Sequence, residues 1–229
     1  GFSKNHMNKY VTFKFNNWEQ KHPIGTLTES FGDVDNFSSF CSYQLWTKKL
    51  VYSISSLQKQ AKYGLKNMDE ELFISHTMEN DQYKVQDKRN VNVYSIDPEN
   101  SRDLDDAFSI EKIENDQFKI SIYIANVPIV LDSYDLWEHL TQRISTIYLP
   151  EERRTMLPEI LSDNICSLLE ERERFAFTME VIYDINTKSI VSDSILFYNS
   201  LVCVKKNYVY EEKSLLKNND YKQMYQITK

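Results

Sequence analysis

Four aspartates fall within ten residues of this chain, at Asp97, Asp103, Asp105 and Asp106. They sit in the stretch Asp97-Pro98-Glu99-Asn100-Ser101-Arg102-Asp103-Leu104-Asp105-Asp106. Carboxylates this close repel, and some stay protonated unless a cation neutralises them. Mg²⁺ (or Mn²⁺) suits such a set, because Mg²⁺ is hard, takes oxygen ligands and shares one or two carboxylates with substrate phosphates. One or two such ions on a loop would serve phosphodiester hydrolysis. Spacing alone also allows a plain solvated acidic surface. A calcium loop of the EF-hand kind needs a glycine at its sixth position and a distal Glu. There is no glycine between Asp97 and Asp106, so that reading is rejected.

The loop needs elements to hold it. Val91 to Ile96 alternates and is β-branched, which predicts a strand, and Pro98 ends it because proline has no N–H for the ladder. Ala107 to Ile113 and Phe118 to Ile124 alternate as well and should pair as antiparallel strands across Asn115-Asp116. Leu136, Leu140, Ile144 and Ile147 predict a helix over 135–147, with acid in its first turn. Glu151 to Arg154 reads as a loop, 158–169 as a short helix, Phe175 to Ile185 as a strand, and 194–210 as one or two more. Earlier in the chain, Tyr10 to Phe15 and Thr26 to Thr28 read as short strands. Leu45, Trp46, Leu50, Ile54 and Leu57 approximate helical spacing, 68–73 reads as a short helix, and Asn80 to Asn90 as a polar linker.

The 229 residues are 41% hydrophobic and 27% charged, an ordinary globular balance with enough apolar content for a core. No apolar run reaches membrane length and no secretory leader is visible. Cys41, Cys166 and Cys203 are too far apart for a metal-type pair, and their odd number suits a reducing compartment. Cys166 lies in an apolar word and reads as a packed thiol. Only 4 residues are glycine, so asparagine must take some turn positions, since it tolerates the left-handed conformation. The chain begins at Gly1 and is read as a piece of something longer.

The words around the aspartates resemble the catalytic domain of the ribonuclease II/R family, the RNB domain. Ile96 to Ala107 fits the signature I-D-P-x-x-x-x-D-[LI]-D-D-A at every specified place. Ile122 to Val127 stands where the family has V-H-I-A-D-V, and Ser145 to Pro150 matches S-x-Y-L-P. Met156-Leu157-Pro158-Glu159 with Leu161-Ser162 matches M-L-P-x-x-L-S. Cys166-Ser167-Leu168 and Arg174 follow, and Tyr210-Glu211-Glu212 resembles a last L-T-Y-x-E. Several words in order are far more specific than one. The resemblance is strong over 91–212 and weak over 10–36, where Phe31-Gly32-Asp33-Val34 matches the end of the RNA-binding barrel that precedes the catalytic domain.

The resemblance implies an α+β fold: a truncated RNB catalytic domain, mainly antiparallel sheet with helices, preceded by the end of an OB-type β-barrel. The expected divisions are 1–36 (barrel remnant), 37–90 (helical linker) and 91–229 (N-terminal portion of the RNB domain). It implies metal-dependent 3′→5′ hydrolysis of single-stranded RNA to nucleoside monophosphates. The alternative is a non-catalytic relative that binds RNA or a ribonucleoprotein. Asp97 and Asp103 are expected as direct metal ligands, Asp105 as bridging or holding the metal, and Asp106 as the residue on which the chemical step depends most. Tyr148 is expected to stack on a nucleotide, while Arg102 and Arg143 are candidates for phosphate contacts. Single-stranded RNA, and a large ribonucleoprotein or exosome-like assembly, are the expected partners in the cytoplasm or nucleus, with no membrane. Trp18 would either stack on a base or pack in a small β-layer.

Departures from the family are Asn126 for Asp and Tyr123 for His. Asn126 reads as a neutral swap or a weakened site. The family's late Arg-rich word and C-terminal RNA-binding barrel have no counterpart here. Net charge is −7, unusual for an RNA binder, and eight acids stand against Arg102 and Lys112 between Asp97 and Asp116. A bound cation would invert that local field.

Overall fold

The computed structural model describes residues 8–19, 21–114 and 116–229. The chain opens with an antiparallel ribbon, β1 (Lys9–Asn17) and β2 (Ile24–Asp33), in which Phe13 faces Leu27. Helix α1 (Phe37–Thr47) starts at Asn36, whose side chain accepts from the Ser39 amide at 3.0 Å. Helices α2 (Ser55–Gly64) and α3 (Glu70–Glu79) follow, the latter capped by Asp69. Then come β3 (Gln86–Asp87), β4 (Val93–Asp97), β5 (Asp106–Lys112), β6 (Gln117–Ala125) and α4 (Val127–Ser133). A 3₁₀ turn at Trp137–His139 precedes the two-residue strands β7 (Ile147–Tyr148) and β8 (Arg153–Arg154). One π-helical turn, Leu161–Ile165, leads to β9 (Glu173–Asp184), β10 (Ser189–Ile190) and β11 (Leu196–Val209). A 3₁₀ turn at Leu215–Lys217 and helix α5 (Asn219–Ile227) finish the chain.

These elements form two compact units: residues through Ile54 with Thr141–Met156, and Ser55–Leu140 with Leu157–Lys229. In the first unit, α1 packs on the β1–β2 ribbon through aromatic rings, Tyr10 on Tyr43 at 4.6 Å and Phe31 near Trp46 at 6.0 Å. Gly32 has φ 110°, and a Cβ there would fall on the Ser39 hydroxyl, so helix and ribbon meet at a position only glycine fits.

The second unit is built on a sheet in the order β10-β9-β6-β5-β4-β11-β3. Strand β9 also pairs with β11, so β4, β5, β6, β9 and β11 close into a barrel. All pairings within it are antiparallel except β4 with β11. The period-2 pattern of each strand sends Val93, Ala107, Tyr123, Ala125, Ala176, Val202 and Val204 into one buried cluster with Leu168. Buried hydroxyls satisfy one another among them, Ser109 with Tyr123 at 2.9 Å and Thr178 with Ser200 at 2.6 Å. A second cluster joins Phe175 and Leu201 to Ile129 of α4 and to Phe73, Ile74 and Met78 of α3. Mixed α and β structure with a mainly antiparallel sheet is as expected, and so is the β5–β6 pairing. Asp116 takes φ 58° at the turn; its expected partner Asn115 lies outside the described residues.

Several expectations are overturned. No helix runs over 135–147: Asp135 takes φ 52° and stops α4, Leu136 buries itself as a single anchor, and Ile144 is 89% exposed. The apolar spacing there belongs to residues divided between the two units. Residues 153–154 are a strand against 147–148, not loop. The short helix expected at 158–169 is present but ends earlier: residues 159–160 are α-helical and lead into the π turn Leu161–Ile165. The linker 80–90 is not wholly free: Tyr83 and Val85 pack on the second cluster, and β3 adds to β11. Trp18 does not pack in a β-layer and is 67% exposed. The two strands expected early in the chain are present, as the paired β1 and β2.

Candidate active site

Asp97 is the last residue of β4 and Asp106 the first of β5, so the aspartate loop bridges two neighbouring barrel strands. Pro98 ends β4, as its missing donor requires. The loop then turns on Asn100, at φ 67°, with the Ser101 amide donating to the Pro98 carbonyl at 3.2 Å. Here asparagine stands in for the glycine the turn would otherwise take.

What fixes the rest of the loop is Leu104. Its side chain is 6% exposed. Its amide donates to Ser167 Oγ at 3.0 Å, its carbonyl accepts from the Leu168 amide at 2.8 Å, and Ser167 Oγ donates to the Arg102 carbonyl at 3.0 Å. The Ala125 amide closes the loop by donating to the Asp105 carbonyl at 2.8 Å. Leu104 is therefore tied by both backbone groups as well as by burial, with Asp103 and Asp105 on either side of it. The word Cys166-Ser167-Leu168, sixty residues away in sequence, is the clamp on this loop.

The clamp draws the carboxylates into one electrostatic group. Desolvation, and then the charges of Asp103, Asp106, Asp97 and Asp163, push the Asp105 carboxyl up to about 6. Asp97 is raised chiefly by desolvation and further by Asp106 and Asp103, while the Ser95 hydroxyl, donating at 2.7 Å, opposes the rise. Asp105 thus feels the other three aspartates singled out from sequence, and Asp97 feels Asp103 and Asp106. Asp163, a fifth, comes from the π turn and was missed; its signal is its place directly after Leu161-Ser162. Among the described residues, no group of three or more His, Cys, Asp or Glu stands ready to hold a metal ion. The donors themselves are all hard oxygens, without histidine or thiolate, which fits Mg²⁺ or Mn²⁺ and not a softer ion.

The remaining candidates fall out differently. Arg102 is exposed on the loop itself. Tyr148, in the first unit, is 70% exposed opposite Arg153. Arg143, also in the first unit, gives Nη1 to the Thr155 carbonyl at 2.8 Å and Nη2 to the Tyr52 carbonyl. Its guanidinium is thereby engaged with backbone. Cys166 is buried and its thiol is pushed up to about 12 by desolvation, so it is a packed thiol, as read from sequence. Asn126 is a structural residue: 6% exposed, it caps α4 and donates to Asn199 Oδ1 at 2.8 Å. Tyr123 is buried inside the barrel with its hydroxyl on Ser109. No described helix is long and apolar enough to cross a membrane.

Two curated relatives are DIS3-like exonuclease 2 of Schizosaccharomyces pombe, 29% identical over 81% of this chain, and ribonuclease R of Mycoplasmopsis pulmonis, 31% identical over 89%. The chain spans only 20% and 28% of their lengths. Among solved structures, Mycoplasma genitalium RNase R in complex with double-stranded RNA superposes on 95% of the chain with TM-score 0.71 at 22% identity, using 37% of its own length. Yeast Ssd1, described as a pseudonuclease, superposes on 96% with TM-score 0.67 at 14% identity, using 27% of its length. At such identities these two likenesses speak for the fold alone. The family profile described as RNB domain matches residues 85–226, well over half of the chain, and that span contains the whole barrel and the aspartate loop clamped to it; the chain belongs to the RNB-domain family.

Proposed function

We propose that this chain carries the aspartate site of a metal-dependent 3′→5′ exoribonuclease that hydrolyses single-stranded RNA to nucleoside monophosphates. The observation that carries it is the clamped loop, which collects Asp97, Asp103, Asp105 and Asp106 into one mutually repelling group at the end of β4 and the start of β5. Repulsion of this kind is a standing cost that a divalent cation removes. Asp97 and Asp103 would hold the ion, Asp105 would bridge or support it, and Asp106 would bear most on the chemical step. When bound, Mg²⁺ or Mn²⁺ supplies an activated water and offsets charge on the phosphate oxygens. Tyr148 offers an exposed ring for base stacking, worth about 1–3 kcal/mol and indifferent to sequence. Arg102 supplies a cation beside the carboxylates. Arg143 shapes its own unit through backbone contacts instead of reaching phosphate. In this reading the divisions 1–36, 37–90 and 91–229 are barrel remnant, helical linker and the first portion of the catalytic domain, and the β1–β2 ribbon closes an OB-type barrel.

A second reading is a non-catalytic RNA-binding relative. It is favoured by the lack of a ready ligand cluster among the described residues. Cleavage of a 5′-labelled unstructured RNA separates the two. With Mg²⁺ or Mn²⁺, a protein carrying this chain should shorten the RNA from its 3′ end. Asp106→Asn should slow cleavage by about 10²-fold or more, a loss typical of removing a group that acts on the transition state, yet leave RNA affinity within about threefold. A wild type that binds RNA and never shortens it establishes the second reading.

A further inference from the structure

Behind Asp97 lies a chain of hydrogen bonds whose direction can be read without ambiguity. Asn207 of β11 gives its Nδ2 to Ser95 Oγ at 2.9 Å and to the Leu168 carbonyl at 2.9 Å. Its Oδ1 accepts from the Glu170 amide at 2.6 Å. The amide cannot be turned over, since that would set its oxygen against the Leu168 carbonyl and its NH₂ against the Glu170 N–H. Nδ2 can only donate, so Ser95 Oγ is the acceptor of that bond. Its single hydrogen is then directed to Asp97 Oδ2, at 2.7 Å. Ser95 is fully buried, so no water competes for either bond.

The support behind Asn207 is equally firm. The Glu170 carboxylate accepts from the Asn207 backbone N–H at 3.1 Å and pairs with Lys206 at 3.3 Å. Residue 170 bridges to Val204, and the Glu171 amide donates to the Val204 carbonyl at 2.8 Å. At the far end of the acidic loop, Ser167 and Leu168 hold Leu104. One short segment, Ser167–Glu170, therefore fixes both ends of the loop: Leu104 directly, and Asp97 through Asn207 and Ser95.

We propose that Ser95 and Asn207 are positioning residues of the aspartate site, a buried strut that holds one oxygen of Asp97 and leaves the other to a divalent cation. This rests on the reading of Asp97 as a metal ligand. A carboxylate with one oxygen tied has lost rotational freedom before the ion arrives, so less ordering remains to be done on binding. Asn207 acts on Asp97 only through Ser95, and neither residue is expected to touch RNA.

The test is titration of the 229-residue chain with Mn²⁺ in the presence of a short 2′-O-methylated oligoribonucleotide, followed by calorimetry and by the Mn²⁺-dependent rise in Tm. The proteins are wild type, Asp97→Asn, Ser95→Ala and Ser95→Thr. Asp97→Asn should abolish the Mn²⁺ response. Ser95→Ala should weaken Mn²⁺ about tenfold, the lower end of what outer partners of metal ligands contribute. Ser95→Thr, which keeps the donor, should return to within about threefold of wild type. A merely structural serine would lower Tm equally with and without Mn²⁺ and leave the increment intact. If Asp97→Asn loses Mn²⁺ but Ser95→Ala binds like wild type, the site stands and the strut is overturned. If wild type shows no Mn²⁺ response, or Asp97→Asn keeps it, the metal-site reading falls and the strut with it. Should the threonine variant fail to fold, Ser95→Cys replaces it; a near-isosteric weak donor should bind like Ser95→Ala, and binding like wild type would overturn the proposal.

Discussion

Replacing Asp105 by Asn should make the metal-free protein more stable at neutral pH and leave it unchanged in acid. The Asp105 carboxyl is raised from the ordinary 3.8 to about 6, first by desolvation and then by four carboxylate neighbours. In the window from about 4 to about 6 the folded protein keeps a proton that the unfolded chain has already released. The folded state therefore binds more protons there, and its stability falls as pH rises through the window. At about 1.36 kcal/mol per pH unit the full effect would be roughly 3 kcal/mol. Asp105 is an exposed residue, and solvent screening brings the expected penalty down to about 1 kcal/mol. Asparagine keeps the shape and removes the charge. Urea unfolding in EDTA should give Asp105→Asn an advantage of about 1 kcal/mol at pH 7.5 that vanishes by pH 4. Millimolar Mn²⁺ should shrink that advantage, because the ion relieves the wild type. A variant no more stable than wild type at pH 7.5, or equally favoured at pH 4, would refute the claim that this loop stores repulsion. Asp97, raised in the same direction, should leave a residual slope in the variant.

Two smaller perturbations probe the frame. Asn126→Asp restores the family residue but should destabilise the protein by about 1–3 kcal/mol in urea, because an aspartate oxygen would face Asn199 Oδ1 in a buried site. Asn199 cannot turn to help, since its own Nδ2 is held by the Tyr83 carbonyl at 2.7 Å; equal midpoints would show that it does turn. Ser167→Ala removes the acceptor of the Leu104 amide and should cost about 1–3 kcal/mol. Amide exchange at Leu104 should accelerate well ahead of exchange in β9, and uniform acceleration would show that the loop is not clamped by Ser167.

Strand β6 was legible because it alternates over more than five residues, from Phe118 to Ile124. The aspartates stood out for a different reason: spacing alone left a solvated acidic surface open, and it was the match of Ile96 to Ala107 to the RNB signature that singled them out. What failed was periodicity read across a boundary. Leu136, Leu140, Ile144 and Ile147 have helical spacing, yet the chain leaves one compact unit for the other between Leu140 and Thr141. A spacing rule has no means of seeing that. Turns written without glycine were the other difficulty. Asp135 takes a left-handed conformation in what reads as a good helix start, and nothing in its local sequence marks it as a break.

The partners of the site were hidden differently. Ser95 stands two residues before Asp97 in a strand, so both side chains lie on one face, and that much could be read from the alternation alone. Asn207 gave no such sign. It lies more than a hundred residues on, and it meets Ser95 only because β4 and β11 run parallel, the one parallel pairing in the closed barrel. The same crossing brings the Tyr210 amide to the Asp97 carbonyl at 3.0 Å. Parallel strands need a long connection between them. Here that connection holds the remaining barrel strands and the Ser167–Glu170 segment that grips the loop. The words Cys166-Ser167-Leu168 and Tyr210-Glu211-Glu212 carry no chemistry of their own, yet each ends against the aspartate loop. They behave as a frame: the acidic cluster repels itself, and what keeps it together without a cation is backbone hydrogen bonding to Leu104 and Asp97 from two distant parts of the chain. A relative that kept the four aspartates and lost Ser167 or Asn207 would retain the carboxylates without the frame that holds them.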